Sequence, residues 1–173
     1  MIIIKKSDIT KEKCDAIVNA ANSKLCGGGG VDGAIHRASG PKLYEECQKI
    51  IEKIKYLEPG NAVITPAFEI KDVKYIIHTV GPIWRGGRFN ESSILSKCYE
   101  SCFKIAIENN IKTIAFPSIS TGAYGYPIEL AAPIAIKSAF LYENFFEKII
   151  FVLFSDYDLL VYEREYKKYG KTS

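Results

Sequence analysis

Four consecutive glycines, residues 27–30, lie between an apolar run that ends in asparagine and a stretch with helical spacing. Residues without Cβ adopt positive φ freely and let backbone N–H groups come close to a ligand. The segment 16–40, AIVNAANSKLCGGGGVDGAIHRASG, therefore reads as strand, amide-bearing loop, glycine turn and helix start. A helix N-terminus carries unpaired donors and the positive end of a dipole, so this order builds a seat for an anion such as a pyrophosphate. A second loop repeats the design. Residues 118–126, SISTGAYGY, follow an apolar strand and precede a helix opened by Pro127. Two donor loops gripping one diphosphate constrain function more than either does alone.

Familiar nucleotide motifs fit poorly. Gly28, Gly30 and Gly33 satisfy GxGxxG in form, but the region about 20 residues further on is helical, around Glu52, where a dinucleotide site wants an acid ending a second strand. A P-loop needs lysine after its last glycine, and Ala34 stands there.

Apolar spacing sets out the rest of the chain. Strands are expected at 2–4, 16–18, 62–65, 75–80, 112–116 and 148–154, and helices at 31–38, 41–55, 92–109, 127–142 and 156–169. In the second helix Leu43, Cys47, Ile50, Ile51 and Ile54 share one face. The run 148–154 is apolar almost throughout, as in a sheet covered on both sides. The sum is an α/β fold in a single domain over 1–173, with ligand chemistry at the carboxyl ends of the strands, where both loops lie.

Charge and cysteines narrow the classes. The net charge of +3 is too weak to argue for nucleic acid. No apolar run reaches the roughly 18 residues of a membrane span. The five cysteines (Cys14, Cys26, Cys47, Cys98, Cys102) are odd in number, form no CxxC pair and follow no signal-like segment, so free thiols and a cytoplasmic location are expected. Cys98 and Cys102, four apart in a helical pattern, read as buried filler.

Several side chains could carry chemistry. Asn22, and less directly Asn19, could bridge the hydroxyls of a cis-diol, or satisfy loop backbone instead. Asp32 in a first helical turn suits the dipole. Yet a carboxylate beside an anion seat is repelled by that anion, so its presence makes better sense if it orients a water or a sugar hydroxyl. His36 lies one turn on, on the same face. His78, within an apolar strand, reads as core. Asp8 could accept from an exocyclic amine or cap a turn, and Phe154 could stack on a base or join the core.

DIT at 8–10, AIVNAAN at 16–22, GGGGVDGAIHRASG at 27–40, IIHTVGPIW at 76–84 and FPSISTGAYGYP at 116–127 occur in this order. Together they resemble the macrodomain family, most closely its bacterial O-acetyl-ADP-ribose deacetylase and mono-ADP-ribosylhydrolase branch, over nearly the whole chain. The resemblance implies a three-layer α/β/α sandwich around a mixed sheet of about six strands. It implies that Asp8 reads the adenine amine, with Ile9 as backbone donor and Phe154 stacked on the ring. Gly29, Gly30 and Val31 on one side, and Ser120, Thr121, Gly122 and Ala123 on the other, would grip the diphosphate. Asn22 would hold the distal ribose, Tyr124 would pack against it, and Asp32 would be the catalytic acid with His36 in support. The implied activity is metal-independent and needs no cofactor: deacetylation of O-acetyl-ADP-ribose and removal of mono-ADP-ribose from acidic side chains of proteins. A non-catalytic ADP-ribose reader is the alternative. A monomer is expected, with no membrane or nucleic-acid partner. Only the tail at Lys167, Lys168 and Lys171 speaks for RNA or poly-ADP-ribose, and such tails are usually solvated helix ends. The family's first motif usually begins with glycine, and Ser7 stands there instead.

Overall fold

Six strands form one sheet: β1 (Ile2–Lys6), β2 (Cys14–Ala20), β3 (Ala62–Pro66), β4 (Val73–Thr79), β5 (Thr113–Phe116) and β6 (Lys148–Leu153). The computed structural model that shows them describes residues 1–172. Side chains alternate across a strand, so a strand covered on both faces must be apolar at successive positions. β6 obeys this: Ile149, Phe151 and Leu153 enter one core, Ile150 and Val152 the other. β2 divides the same way, with Ala16 and Val18 on one side and Ile17 on the other. The strand order is β1-β6-β5-β2-β4-β3, parallel throughout except for the antiparallel edge strand β3. The sheet is therefore mixed, as expected.

Helices α1 (Gly30–Ser39) and α2 (Pro41–Ile54) cover one face through Ile35, Leu43 and Cys47. Helices α3 (Glu91–Glu108), α4 (Ile128–Tyr142) and α5 (Asp156–Thr172) cover the other. On α3 the residues Leu95, Cys98, Cys102 and Ala106 recur every three or four positions and have no exposed surface. A large one such as Leu95 contributes about 1.5–3 kcal/mol on burial. Cys98 and Cys102 are packing residues, as their spacing suggested. No helix among the described residues is long and apolar enough to cross a membrane. In the tail Lys168 pairs with Glu165 at 3.4 Å, and the side chain of Lys171 lies outside the described residues.

β2 and β5 are neighbours, with Ala16 opposite Ile114 and Ile17 opposite Ala115. The chain leaves β2 toward α1 on one face of the sheet and leaves β5 toward α4 on the other. Their loops splay apart at the carboxyl edge, opening the crevice in which such sheets bind ligands.

The loop between β4 and α3 is held from beneath by the side chain of Glu91. Its carboxylate accepts N–H bonds from Arg85 (2.9 Å), Gly87 (2.9 Å) and Phe89 (2.6 Å). Burial opposes ionisation here, but the backbone donors outweigh it and hold Glu91 down to about 2. A depressed carboxyl contributes stability above its ordinary value of 4.5 and loses that contribution as pH falls through about 2. The amide shifts of Gly87 and Phe89, followed by NMR, should therefore titrate well below 4.5. A midpoint at the ordinary value would mean that the carboxylate does not hold the loop in solution.

Candidate functional site

Asn19 lies near the end of β2 with its side chain fully buried, and the sheet register sets it opposite His78. Its Nδ2 donates to Asp32 Oδ1 at 2.9 Å and lies 3.1 Å from His78 Nδ1. His78 Nε2 is in turn 2.9 Å from Thr65 Oγ1. Asp32 occupies the first turn of α1 and is 6% exposed. Its Oδ1 also lies 3.5 Å from His36 Nε2, one helical turn on. Burial raises the pKa of Asp32, and the Asn19 hydrogen bond and His36 pull it back only in part. The second oxygen, Oδ2, faces the glycine loop, 3.5 Å from where a Cβ on Gly28 would lie. A buried carboxylate with a raised pKa, one oxygen anchored and the other turned toward an anion seat, is suited to take a proton.

The glycine loop is shaped by Asn22. Its Oδ1 accepts the N–H groups of Lys24 (3.2 Å) and Cys26 (3.3 Å), and its Nδ2 donates to the Gly27 carbonyl at 2.8 Å. Of the two roles open to Asn22 in the sequence, the structure therefore displays the loop-forming one. The amide still borders the site, because a Cβ on Gly28 would lie 3.9 Å from its Nδ2. The first bond of α1 runs from the Gly33 N–H to the Gly29 carbonyl at 3.2 Å. This leaves the N–H groups of Gly30, Val31 and Asp32 as the donors that every helix start exposes. Gly29 itself has φ −94 and open space where a Cβ would sit, so neither its own backbone nor its packing requires glycine.

In the second loop both hydroxyls lie against neighbouring protein groups. Ser120 has φ +68, and its buried Oγ packs so closely on Gly81 that a Cβ there would collide with it. Thr121 donates its hydroxyl to Ser118 Oγ at 2.8 Å, and that atom also receives the Tyr162 hydroxyl of α5 at 3.0 Å. The Thr121 hydroxyl is bonded within the loop, the Ser120 hydroxyl is buried without a hydrogen-bond partner among the described residues, and what faces outward is the backbone through Gly122 and Ala123, both exposed. Tyr124 is partly exposed, and its carbonyl receives the Trp84 N–H at 2.9 Å, which joins the loops after β4 and β5.

At the far end, Asp8 caps a short 3₁₀ turn, Ile9–Lys11, accepting the Thr10 N–H at 3.0 Å and the Thr10 hydroxyl at 2.6 Å on Oδ1. The Thr10 hydroxyl bond holds its carboxyl below the ordinary range. The side chain of Ile9 is buried. Phe154 is 92% exposed, so it is no core residue. β1 and β6 pair at Lys6 and Leu153, which puts Asp8 and Phe154 just past the ends of adjacent strands. Along the carboxyl edge the order is thus Asp8 and Phe154 after β1 and β6, the 118–126 loop after β5, and the glycine loop with Asp32 after β2. At about 4.8 Å per strand, those four strands span about 14 Å.

Residues 18–135 match the Macro domain family. The chain belongs to the macrodomain family. Over 168 residues it is 53% identical to a macro domain-containing protein of Caldanaerobacter subterraneus, covering 96% of this chain and 95% of that one. It is 49% identical over 160 residues to the O-acetyl-ADP-ribose deacetylase of Enterobacter cloacae, covering 91% and 88%. A mutant of the Oceanobacillus iheyensis macrodomain, solved with ADP-ribose, superposes with a TM-score of 0.89 at 41% identity over 98% of this chain and 93% of that one. The macrodomain fold explains why the two loops flank one crevice: both leave carboxyl ends of neighbouring parallel strands. In the sequence His78 reads as core, and it is fully buried, while nothing there singles out its bonds or Thr65, Tyr162 or Glu91. The register that sets His78 beside Asn19 is the one signal that could have exposed the first, and it appears only once β2 and β4 are paired.

Proposed function

We propose that this macrodomain binds ADP-ribose along the carboxyl edge of its sheet and hydrolyses esters at the distal ribose. The observation that carries this is the order of groups along that edge. An exposed aromatic and a capped aspartate come first, then two sets of free backbone donors, then a buried carboxylate with one oxygen left toward the loop. Adenine, diphosphate and distal ribose follow each other in the same order in ADP-ribose. The relatives and solved macrodomains that act on or hold such compounds support the reading.

In this reading Phe154 stacks on adenine and Asp8 accepts from its amine through Oδ2. The N–H groups of Gly30 and Val31 face those of Ser120, Thr121, Gly122 and Ala123 across the diphosphate. Gly29 leaves the space through which it approaches. Asn22 and Tyr124 border the distal ribose. For O-acetyl-ADP-ribose, water attacks the acetyl carbonyl carbon while Asp32 Oδ2 takes its proton. The bond from that carbon to the ribose oxygen then breaks, Asp32 returns the proton to the ribose oxygen to make the hydroxyl, and acetic acid leaves, ionising to acetate in solvent. His36, beside Oδ1, steadies the carboxylate. The same carboxylate serves the link between ADP-ribose and an acidic side chain of a protein. Base catalysis of this kind is worth roughly 10²–10⁴-fold in rate, and fixed positioning of the diphosphate supplies much of the rest. No metal takes part in these steps.

Calorimetric titration with ADP-ribose, followed by turnover of both esters, tests the reading. The expected result is saturable binding at one site together with release of acetate and of unmodified protein. Binding with no product from either ester would make the domain a reader, and no binding would remove the proposal altogether.

A further inference from the structure

His78 sits in β4 between Ile77 and Thr79 and is fully buried. A buried imidazole needs a partner at each nitrogen, and both are present: Thr65 Oγ1 at 2.9 Å from Nε2 and Asn19 Nδ2 at 3.1 Å from Nδ1. The polarity of the chain is fixed from its far end. An ionised Asp32 can only accept, so the Asn19 group 2.9 Å from Oδ1 is the NH₂. The second hydrogen of that NH₂ points to His78 Nδ1, which must therefore be the bare nitrogen. The ring proton sits on Nε2 and is donated to Thr65. Burial, with His36 nearby, holds His78 down to about 3, so it is neutral wherever Asp32 is ionised.

This arrangement leaves Asn19 Oδ1 buried with no partner among the described residues. A purely apolar filling of β2 and β4 would avoid that penalty, which for a buried polar atom is substantial. What the amide achieves is a firm bond to one carboxylate oxygen, with its own orientation fixed by the imidazole behind it.

We propose that His78 is a positioning residue of the hydrolytic site: by latching the Asn19 carboxamide it pins Asp32 Oδ1 to the sheet and leaves Oδ2 as the oxygen that meets water. The proposal deepens the hydrolase reading and rests on it for turnover, but the latch itself is a property of the free protein. The ionisable groups around Asp32 are His36 on its own helix, Cys47 on α2 and, behind Asn19, His78 on β4. Burial pushes the Cys47 thiol up to about 12, so it stays neutral. Arg37 lies further along the helix, with Nη1 beside Gly33. Loosening the latch therefore removes a hydrogen bond from Asp32 without changing any neighbouring charge.

The test compares His78→Phe, which deletes the Nδ1 acceptor, with His78→Asn, whose carbonyl oxygen takes the place of Nδ1. In His78→Phe the Asn19 amide is free to turn, and Asp32 loses the bond that favours its charged form. The acid limb of kcat/KM for O-acetyl-ADP-ribose should then move up by about one pH unit, while ADP-ribose affinity stays within about threefold. His78→Asn should return the limb to its wild-type position. A structural role alone would lower the melting temperature and depress activity equally at every pH with the limb unmoved, and that result overturns the proposal. If His78→Phe does not fold, Asn19→Ala should show the same upward displacement, and an unmoved limb there counts equally against it. Carbon-13 NMR titration of the Asp32 carboxyl in the ligand-free protein separates this proposal from the hydrolase reading. If neither ester turns over in the wild type, a titration displaced upward in His78→Phe still supports the latch, and superimposable curves refute it.

Discussion

Asp32→Asn should bind ADP-ribose about as tightly as the wild type while losing roughly 10²–10⁴ in kcat/KM toward O-acetyl-ADP-ribose, the usual worth of a general base. The substitution keeps the shape of the side chain, and an amide oxygen can still accept the Asn19 N–H that now reaches Oδ1 at 2.9 Å. What disappears is the oxygen able to take a proton from water. The loss should fall on kcat and kcat/KM together, because the missing interaction belongs to the transition state rather than to the bound ground state. Stability should change in the opposite direction. The carboxyl of Asp32 has its pKa raised by burial, so between 3.8 and its folded value the native state holds more protons than the unfolded chain. Wild-type stability therefore falls as pH rises through that window, and above it the full penalty of ionising a buried acid is present. Asp32→Asn removes the penalty. Its melting temperature should exceed that of the wild type at pH 7, by about 2–4 °C for each kcal/mol relieved, and the two should converge below pH 3.8. Wild-type turnover in the variant would end the assignment of Asp32. A lower melting temperature at pH 7 would mean that its partners more than repay its burial.

Much of this was legible in the chain because the local signals are strong. A short apolar run rich in β-branched residues and flanked by turn residues points to an inner strand. The run expected at 148–154 is β6 at Lys148–Leu153, packed on both faces between β1 and β5, with Phe154 left exposed beyond it. The glycine run announced a helix start because donors and dipole follow from backbone geometry alone. Phe154 and Asp8 could be placed on loops but not together, since their proximity depends on β1 pairing with β6 across nearly the whole length of the chain. The same holds for His78. Nothing in IIHTV tells a core histidine from one joined to a carboxylate, because the join runs through Asn19 on another strand and Thr65 on a third. The same limit applies to Ser120 and Thr121. Hydroxyls in a loop serve a ligand or the loop itself according to what packs behind them, here Gly81 and Ser118. Local backbone chemistry is written in short segments, whereas side-chain partnership is settled by the sheet.

Gly33→Ala should weaken ADP-ribose binding roughly 100-fold, about 2.7 kcal/mol, for a reason opposite to helix propensity. Alanine in a helix interior is ordinarily favoured over glycine by about 1 kcal/mol. In α1, however, a Cβ at position 33 would collide with the carbonyl oxygen of Gly28. The obstacle is backbone, so no rotamer relieves it; the Arg37 guanidinium at 3.0 Å could move aside, but the Gly28 peptide cannot move without shifting the loop. That shift carries away the N–H groups aimed at the diphosphate, and each hydrogen bond to a charged group is worth about 1.5–3 kcal/mol. One or two such bonds account for the loss. Gly29→Ala is the matching comparison. At Gly29 φ is −94 and the Cβ position is open, so alanine fits the free protein without strain. Its melting temperature should stay at the wild-type value while ADP-ribose affinity falls, because the space belongs to the ligand. Calorimetry and thermal denaturation on the two variants separate the cases: Gly33→Ala should lose both stability and binding, Gly29→Ala binding alone. If Gly33→Ala proved more stable than the wild type and bound ADP-ribose normally, the close contact between loop and helix would not be what seats the diphosphate, and the order of groups along the sheet edge would have to be read without it.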